Sequence, residues 1–209
     1  SVDGAGDVNG DGFDDLLVGS YADGGSDTGS AFVFLSAGDG TFTEVKLTAS
    51  DAAADDDFGY AVSGAGDVNG DGYDDVLIGA YGDDDDGTNS GSAYVYLSAG
   101  DGTFTEVKLT ASDADLSDWF GRAVSGAGDV NGDGLDDLII GAHLDDDDGS
   151  NSGAAYVYLS GGDGTFTEVK LTASDAGASD QFGWSVDGAG DVNGDGFDDL
   201  LVGSYADGG

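Results

Sequence analysis

One nine-residue segment, Asp-Val-Asn-Gly-Asp-Gly-X-Asp-Asp with Phe, Tyr or Leu at X, occurs four times in the 209-residue chain. The copies begin at Asp7, Asp67, Asp129 and Asp191, so they are 60, 62 and 62 residues apart. A repeat of this length is typical of solenoids, propellers and arrays, in which each unit buries its apolar surface against its neighbours. The repeat therefore constrains the fold more strongly than the chain length does.

The acidic composition limits the partners that we expect. The chain has 44 acidic and 4 basic residues, a formal net charge of -40 at pH 7. Nearly all the acids are Asp, which disfavours helix and strand interiors, so most carboxylates should lie in loops. The charge argues against nucleic acid and anionic membranes as partners, and it opposes compaction unless cations neutralise it. Without cysteine there are no disulfides and no thiolate metal sites, and no apolar run is long enough to insert into a membrane.

Each unit contains four short apolar or alternating segments separated by turns. In the second unit they are residues 60–66, 76–81, 93–97 and 104–110. The turn before the last segment contains Asp101-Gly102, which is typical of β-hairpins. Four antiparallel strands per unit favour the blade of a β-propeller over a stacked β-solenoid. We therefore predict an all-β chain, a β-propeller of four-stranded antiparallel blades.

The repeat divides the chain into about three and a half blades. Residues 1–25 and 185–209 are identical, so the chain begins and ends at the same point of its repeat, and we expect a fragment or a processed or engineered piece. Because propellers close with about 4 to 8 blades, we expect oligomerisation to complete the ring, for example by a strand swap of 185–209 for 1–25 of a partner copy. The predicted ranges are 1–57 for blade 1, 58–119 for blade 2, 120–181 for blade 3 and 182–209 for the first half of blade 4.

The repeated acidic segment places oxygen donors at alternating positions. Counted from Asp7 as position 1, side-chain oxygens stand at positions 1, 3, 5 and 9, glycine at position 6 permits a sharp turn, and position 7 offers its carbonyl. Hard oxygen donors in a flexible loop suit calcium better than magnesium or a transition metal. EF-hand and dockerin-type loops need an acid at position 12 and a helix after it, but position 12 here is Val or Ile in a strand-like run. The segment predicts a calcium loop between two strands, and the alternative is a set of plain Asp/Asn/Gly turns.

The order of motifs within a unit resembles the FG-GAP repeat. In the second unit Phe58-Gly59 precedes the acidic loop 66–75, the apolar run 76–80 and Tyr94-Val-Tyr96. The resemblance implies the propeller of integrin α subunits and related bacterial surface proteins, with calcium bound between the first and second strands of a blade. Two features depart from that family, since tyrosine or histidine replaces the proline of Gly-Ala-Pro and every unit carries an acidic loop. Such uniformity is typical of recent duplication or of an engineered chain.

The resemblance also implies the calcium ligands, at about one ion per repeat. They are the residues at positions 1, 3, 5, 7 and 9 of each loop, with position 7 acting through its backbone carbonyl. The predicted metal ligands are Asp7, Asn9, Asp11, Phe13 and Asp15; Asp67, Asn69, Asp71, Tyr73 and Asp75; Asp129, Asn131, Asp133, Leu135 and Asp137; and Asp191, Asn193, Asp195, Phe197 and Asp199.

Other recurring side chains have structural interpretations. Two runs of four aspartates, 83–86 and 145–148, are either a second, weaker cation site or a solvated charge run, and we favour the latter. Each predicted fourth strand carries a Glu and a Lys, which we expect to protect the outer strand and to pair across it. His143 stands where the first two units have tyrosine and is interpreted as its structural replacement, while Arg122, Trp119 and Trp184 are expected to pack between blades.

The sequence contains no recognisable catalytic constellation, so we predict that the protein is not an enzyme. We predict a non-catalytic calcium-binding scaffold, an adhesion or protein- and glycan-interaction module that is extracellular or at the cell surface, where millimolar calcium fills weak sites. Its expected partners are itself and a protein or glycan ligand. The alternative is a purely structural, self-assembling repeat, either a natural ring or fibre or an engineered propeller fragment. A propeller-based hydrolase or lyase ranks third.

Overall fold

Fourteen β-strands and no helix occur in residues 1–206 of the computed structural model, the part of the chain that the structure describes. The last three residues of the predicted half-blade 182–209, and of the duplicated segment 185–209, lie outside the described residues. In chain order the strands are β1 (Val2–Gly6), β2 (Asp15–Ser20), β3 (Ser30–Ser36), β4 (Phe42–Leu47), β5 (Ala61–Gly66), β6 (Asp75–Ala80), β7 (Ser92–Ser98), β8 (Phe104–Leu109), β9 (Ala123–Gly128), β10 (Asp137–Ala142), β11 (Ala154–Ser160), β12 (Phe166–Leu171), β13 (Phe182–Gly190) and β14 (Asp199–Ser204). The all-β prediction is confirmed.

The strands form three four-stranded sheets and one two-stranded sheet, and each follows chain order. The sheets are β1-β2-β3-β4, β5-β6-β7-β8, β9-β10-β11-β12 and β13-β14, with every strand pair antiparallel. These meanders are the blades of a β-propeller, as the hairpin turns predict. They lie within the predicted ranges 1–57, 58–119, 120–181 and 182–209, whose boundaries stay a prediction.

The first strand of every sheet carries a register shift directly before the acidic loop. In β1 the shift falls between Gly4 and Gly6, and in β5 between Gly64 and Gly66. An extra residue of this kind bends the strand and increases its twist. Each acidic loop therefore follows a bend of this kind, at the same end of every blade.

Neighbouring sheets stack through their first strands, which lie innermost. Strand β5 contacts both β1 and β9, and β9 in turn contacts β13. A Cβ on Gly126 would lie 2.7 Å from the carbonyl oxygen of Gly64, and one on Gly188 would lie 2.8 Å from that of Gly126. Such distances are too short for a side chain, so glycine at this position is required for adjacent blades to approach each other around a common axis.

Alternation along the strands divides the core into layers between blades. In β6, Val76 and Ile78 face the first sheet and pack with Leu17, whereas Leu77 faces the third sheet and packs with Leu138. All five side chains are fully buried. Burying one such side chain stabilises the fold by about 1.5–3 kcal/mol, so stacking of blades is the main source of stability.

The described sheets do not close a ring, and they leave apolar side chains exposed. In the first sheet, Leu16 is 47% exposed at the position that Val76 occupies, buried, in the second sheet. Phe42 is 50% exposed, although its counterpart Phe104 packs against the core. In the two-stranded sheet Leu201 is 59% exposed. Completion of the ring by oligomerisation stays a prediction.

Candidate metal centres

Each acidic loop folds back on its own backbone through side-chain oxygens. In the first loop the carboxylate of Asp7 accepts hydrogen bonds from the backbone N–H groups of Asp11, at 3.0 Å, and Gly12, at 2.8 Å. The Oδ1 atom of Asn9 accepts from the same Asp11 N–H at 3.0 Å, and Asp11 Oδ1 accepts from the N–H of Phe13. The same four bonds occur in the other three loops. Since the Asp7 and Asn9 oxygens accept from the same Asp11 N–H group, the structure brings the side-chain oxygens of positions 1 and 3 together at the backbone of position 5.

Glycine at positions 4 and 6 makes this winding possible. Gly10 and Gly12 have φ values of 72° and 89°, and the equivalent glycines of the other loops are also left-handed. This conformation strains residues that carry a Cβ but not glycine. Substitution at either position would therefore unwind the loop and separate its oxygen donors.

Position 9 lies beneath the loop, where it anchors the loop to the sheet. Asp15 and Asp75 are both fully buried. The Oδ2 atom of Asp75 accepts from the Val68 N–H at 3.1 Å, and its Oδ1 atom accepts from the Ser98 N–H at 2.8 Å, at the end of β7. Burial raises the pKa of Asp75 to about 7, with the charges of other acidic groups in the loop adding to the effect. A cation beside this carboxylate would favour its ionised form.

Position 7 also reaches beyond its own loop. A Cβ on Gly10 or Gly100 would overlap the ring of Tyr73, so this ring rests against the preceding loop and against the hairpin turn of its own blade. The packing fixes the backbone of position 7, whose carbonyl is a predicted ligand. Together the five positions supply three carboxylates, one amide oxygen and one carbonyl oxygen, a donor set that fits calcium and offers neither nitrogen nor sulfur to a softer metal.

Position 8, to which the sequence analysis gave no role, contacts the preceding loop. The Oδ2 atom of Asp74 accepts a hydrogen bond from the backbone N–H of Asp7 at 2.7 Å, and the Asp74 N–H donates to the Asp7 carbonyl at 3.4 Å. Asp136 contacts Asp67 in the same two ways, and Asp198 contacts Asp129. Only the recurrence of aspartate at this position in all four copies could have suggested it.

A second acidic cluster forms at the far end of the second blade, and a lysine lies at its centre. The Nζ atom of Lys108 is 2.8 Å from Asp51, 2.8 Å from Asp83 and 2.6 Å from Asp85. The interpretation of run 83–86 as a solvated charge run is therefore wrong for Asp83, whose side chain is 4% exposed, because burial brings it against the lysine. Burial alone would lower the pKa of Lys108, but hydrogen bonds to the three carboxylates outweigh it and hold the pKa above its usual range.

The same cluster recurs in the third blade, and neither lysine pairs with its neighbouring glutamate. Lys170 binds Asp113, Asp145 and Asp147 at 2.7–2.8 Å. Glu106 accepts hydrogen bonds from Ser50 and Tyr96 instead of pairing with the lysine of its strand. The expected Glu–Lys pairs are thus wrong in these two units, because the aspartate loops lie closer to the ammonium groups.

Replacing Lys108 should destabilise the protein far more than replacing Lys46. Removing one partner of a fully buried ion pair costs about 3–5 kcal/mol. Because the Lys108 side chain is 22% exposed, we expect Lys108→Met to lower the free energy of unfolding by about 2–3 kcal/mol. Lys46 pairs only with Asp23 and is 48% exposed, so Lys46→Met should cost less than about 1 kcal/mol. Urea denaturation measures the free energy of unfolding of both variants. Equal losses would contradict the central role of Lys108 in its cluster.

A row of rings crosses the blades at the strand ends opposite the acidic loops. His143, which is 2% exposed, lies between Trp119 and Trp184 with centroid distances of 5.6 Å and 4.8 Å. The guanidinium of Arg122 stands 4.3 Å from the centroid of Trp184. These contacts agree with the expectation that Arg122, Trp119 and Trp184 pack between blades, and with the interpretation of His143 as a structural replacement for tyrosine. In order along the row, the rings are Tyr21, Tyr60, Tyr81, Trp119, His143, Trp184 and Tyr205.

His143 should make the protein sensitive to mild acid. Burial, with the Arg122 cation adding to it, lowers the pKa of His143 to about 4. The unfolded chain binds this proton below about pH 6.5, so the stabilisation is complete above that pH and is lost as the pH falls towards 4. At pH 4 the parent should therefore lose up to about 3 kcal/mol of its free energy of unfolding. We expect His143→Tyr to lack this loss. Urea denaturation of both proteins at pH 7 and pH 4.5 measures the difference, and an unchanged pH dependence would refute it.

Comparison with known proteins matches most of the chain. Residues 1–34 match one family described as FG-GAP repeat, and residues 42–96, 104–158 and 166–209 match a second family with the same description. Human integrin alpha-6 is 36% identical over 152 residues, which are 72% of this chain and 13% of that protein. Integrin alpha-7 of Rattus norvegicus is 32% identical over 72% of the chain and 13% of its own length. Integrin alpha-4 of Xenopus laevis is 35% identical over 68% of the chain and 14% of its own length.

The matched region is a small part of these relatives. The chain spans 13–14% of the length of the three integrin alpha proteins. Within residues 1–206, no helix is long and apolar enough to cross a membrane. The similarity therefore concerns the repeated blades and not the rest of the relatives.

Proposed function

Since the chain belongs to the FG-GAP repeat family, we propose that it is a non-catalytic, calcium-binding β-propeller scaffold for adhesion or for protein or glycan interaction outside the cell. One observation carries the calcium part of this proposal. Four loops of different blades use the same hydrogen bonds to bring the side-chain oxygens of positions 1 and 3 onto the backbone N–H of position 5. Plain turns do not require such agreement among four oxygen-rich loops.

The proposed ligands are positions 1, 3, 5, 7 and 9 of each loop, the same residues that the family resemblance implies. A bound calcium ion would neutralise the loop carboxylates. The protein's own residues wind the loop through the carboxylate of position 1, anchor it beneath through the buried carboxylate of position 9, and hold the carbonyl of position 7 by the packing of its side chain. In a chain of net charge -40, neutralising four such loops also reduces self-repulsion of the folded state.

Calorimetric titration of the calcium-depleted chain tests the proposal. We expect about four ions per chain, one for each loop. Asp71→Ala removes the position 5 carboxylate of the second loop and should lower the stoichiometry by one ion. The matched control is Asp86→Ala, which removes an exposed acid of the same blade and should leave the stoichiometry unchanged. No heat of binding at millimolar calcium would end the calcium part of the proposal.

The adhesion part of the proposal is supported by the relatives, which are integrin alpha chains. We propose a protein or glycan ligand and a location outside the cell or at its surface, where calcium sites of modest affinity are filled. The 209-residue chain, presented on glycan and matrix-protein arrays in millimolar calcium, should bind a defined subset of them. Binding should disappear in a chelator, and binding to none of the probes would favour the purely structural alternative.

A second candidate function, self-assembly, is favoured by the exposed sheet faces. Leu16, Phe42 and Leu201 are about half exposed at positions whose counterparts other sheets bury. The occupant that we propose is a second copy of this chain, because residues 185–206 repeat the sequence of β1 and β2 and therefore offer β14 as a matching edge for a partner's β3. The 209-residue chain should then be larger than a monomer by light scattering in calcium, and Leu201→Asp should reduce its mass. A monomeric mass for the parent would falsify self-assembly.

A further inference from the structure

The first predicted ligand of a calcium loop is held from two sides. From its own loop, the carboxylate of Asp67 accepts the N–H groups of Asp71 and Gly72. From the next loop, Asp136 accepts the backbone N–H of Asp67 at 2.8 Å through its Oδ2 atom. The side chain that would bind the ion is therefore positioned by its own loop, and its backbone is positioned by the neighbouring one.

The glycine before each loop has a left-handed backbone, and in three of the four loops it also lies against the following loop. Gly66 stands directly before Asp67 with a φ of 71°, and a Cβ there would overlap the carboxylate of Asp136. Gly6 and Gly128 meet Asp74 and Asp198 in the same way. Gly190 precedes the last loop and meets nothing within 4 Å, so the crowding appears only where a following loop supplies the aspartate.

The aspartate at position 8 is itself fixed between two predicted ligands of its own loop. In the third loop, Leu135 at position 7 offers its carbonyl, and Asp137 at position 9 is fully buried beneath the loop. The Leu135 side chain also reaches the preceding loop, since a Cβ on Gly70 would lie 2.9 Å from it. Ordering of positions 7 and 9 around an ion would therefore order Asp136 and its contact to Asp67.

From this arrangement we infer that Asp74, Asp136 and Asp198 are positioning residues that couple calcium binding in adjacent loops. The inference rests on the proposed calcium-binding function and adds to it that the loops fill cooperatively. An ion in one loop orders its position 8 aspartate, which fixes the backbone of position 1 in the preceding loop. Coupling between binding sites is reciprocal, so an ion in the preceding loop favours the following loop by the same factor. Repulsion between neighbouring ions opposes this coupling and predicts the reverse, binding that weakens as the loops fill.

The chain contains a matched control for the test. Asp14 occupies position 8 of the first loop, but within residues 1–206 it accepts no hydrogen bond and no loop precedes it. We would titrate the full 209-residue chain with calcium as the parent, Asp136→Ala and Asp14→Ala, using calorimetry. The parent should give a cooperative isotherm, with a Hill coefficient above 1. Loss of residues that orient metal ligands typically weakens metal binding by about 10–100-fold.

For Asp136→Ala we therefore expect unchanged stoichiometry and about 10-fold weaker binding at the second loop. The Hill coefficient should fall below that of the parent but stay above 1, because Asp74 and Asp198 still couple the other two pairs of loops. Asp14→Ala should match the parent. Hydrogen exchange adds a second readout, since the peptide containing Asp67 should lose its calcium-dependent protection in Asp136→Ala only. If that variant does not fold, Asp136→Asn replaces it. Asn retains an acceptor oxygen but not the charge, so its isotherm should be less steep than that of Asp14→Ala, and an equally steep isotherm would overturn the inference.

Two results would overturn the inference while leaving the calcium sites intact. One is an Asp136→Ala isotherm as steep and as tight as that of Asp14→Ala. The other is a parent isotherm with a Hill coefficient of 1 or below. A parent that binds no calcium would instead overturn the proposed function, so the two failures are distinguishable.

Discussion

Removing calcium should lower the melting temperature of the protein by roughly 20 °C or more. A ligand that binds only the folded state stabilises it by about 2.7 kcal/mol per site when its concentration is about 100 times the dissociation constant. Four such sites contribute roughly 10 kcal/mol, and 1 kcal/mol shifts the melting temperature of a domain of this size by about 2–4 °C. Calorimetric melting in a chelator and at a calcium concentration about 100 times the dissociation constant measures the shift.

Salt provides the control for this prediction. If part of the loss comes from repulsion among the carboxylates, added sodium chloride should restore some stability to the chelated protein by screening. Sodium chloride should not restore all of the lost stability, because the oxygens of positions 1, 3 and 5 need an ion at short range. Equal melting temperatures with calcium and with chelator would show that the loops do not contribute to stability through metal binding.

Truncating Phe120 should be the most damaging single change in the core. Its side chain is fully buried and contacts Tyr156 and Tyr158, with ring centroids at 5.4 Å and 6.0 Å. Its backbone also forms a bridge to Gly91, so the residue joins two blades. Replacement of a buried phenylalanine by alanine leaves a cavity and costs about 3–5 kcal/mol, and we expect Phe120→Ala to lose that amount.

Leu116 is the matched control for this substitution. It lies in the same connector between blades but is 64% exposed, so Leu116→Ala should change the free energy of unfolding by less than about 0.5 kcal/mol. Urea denaturation in calcium compares the two variants with the parent. Similar small losses for both would mean that Phe120 does not join the blades as its contacts indicate.

Much of the fold could be predicted because each unit repeats the same pattern of strands and turns. The predicted strands 76–81 and 104–110 differ from β6 and β8 by one residue at their ends. The hairpin at Asp101-Gly102 and the alternation of apolar residues indicated the antiparallel order of the strands. The Phe-Gly motif was recognised only through the family resemblance. Its contacts with the rings of the third strand depend on how the blades stack in three dimensions.

The parts that could not be predicted are contacts between units. Lys108 meets Asp51 from the connector before its own blade and Asp83 and Asp85 from an inner loop, and no short sequence window contains all four. Asp136 and Asp67 are likewise adjacent only because two blades stack. Neither contact could be recognised in the sequence, because in a chain with 44 acidic residues no single pair stands out. Within one loop, by contrast, the alternating oxygen donors are visible in a short stretch of sequence, and the calcium ligands that they indicate stay a prediction.

The lysine-centred cluster has a consequence for how such a chain can lengthen. Lys108 and two of its carboxylates belong to one unit, and the third, Asp51, is supplied by the unit before it. Lys170 uses Asp113 in the same way, so the second and third units each receive one carboxylate from the unit before them. A gene segment inserted in register would therefore encode a lysine cluster that contacts the preceding unit and an aspartate that contacts the following one. Growth or loss of whole units requires no compensating change elsewhere in the protein.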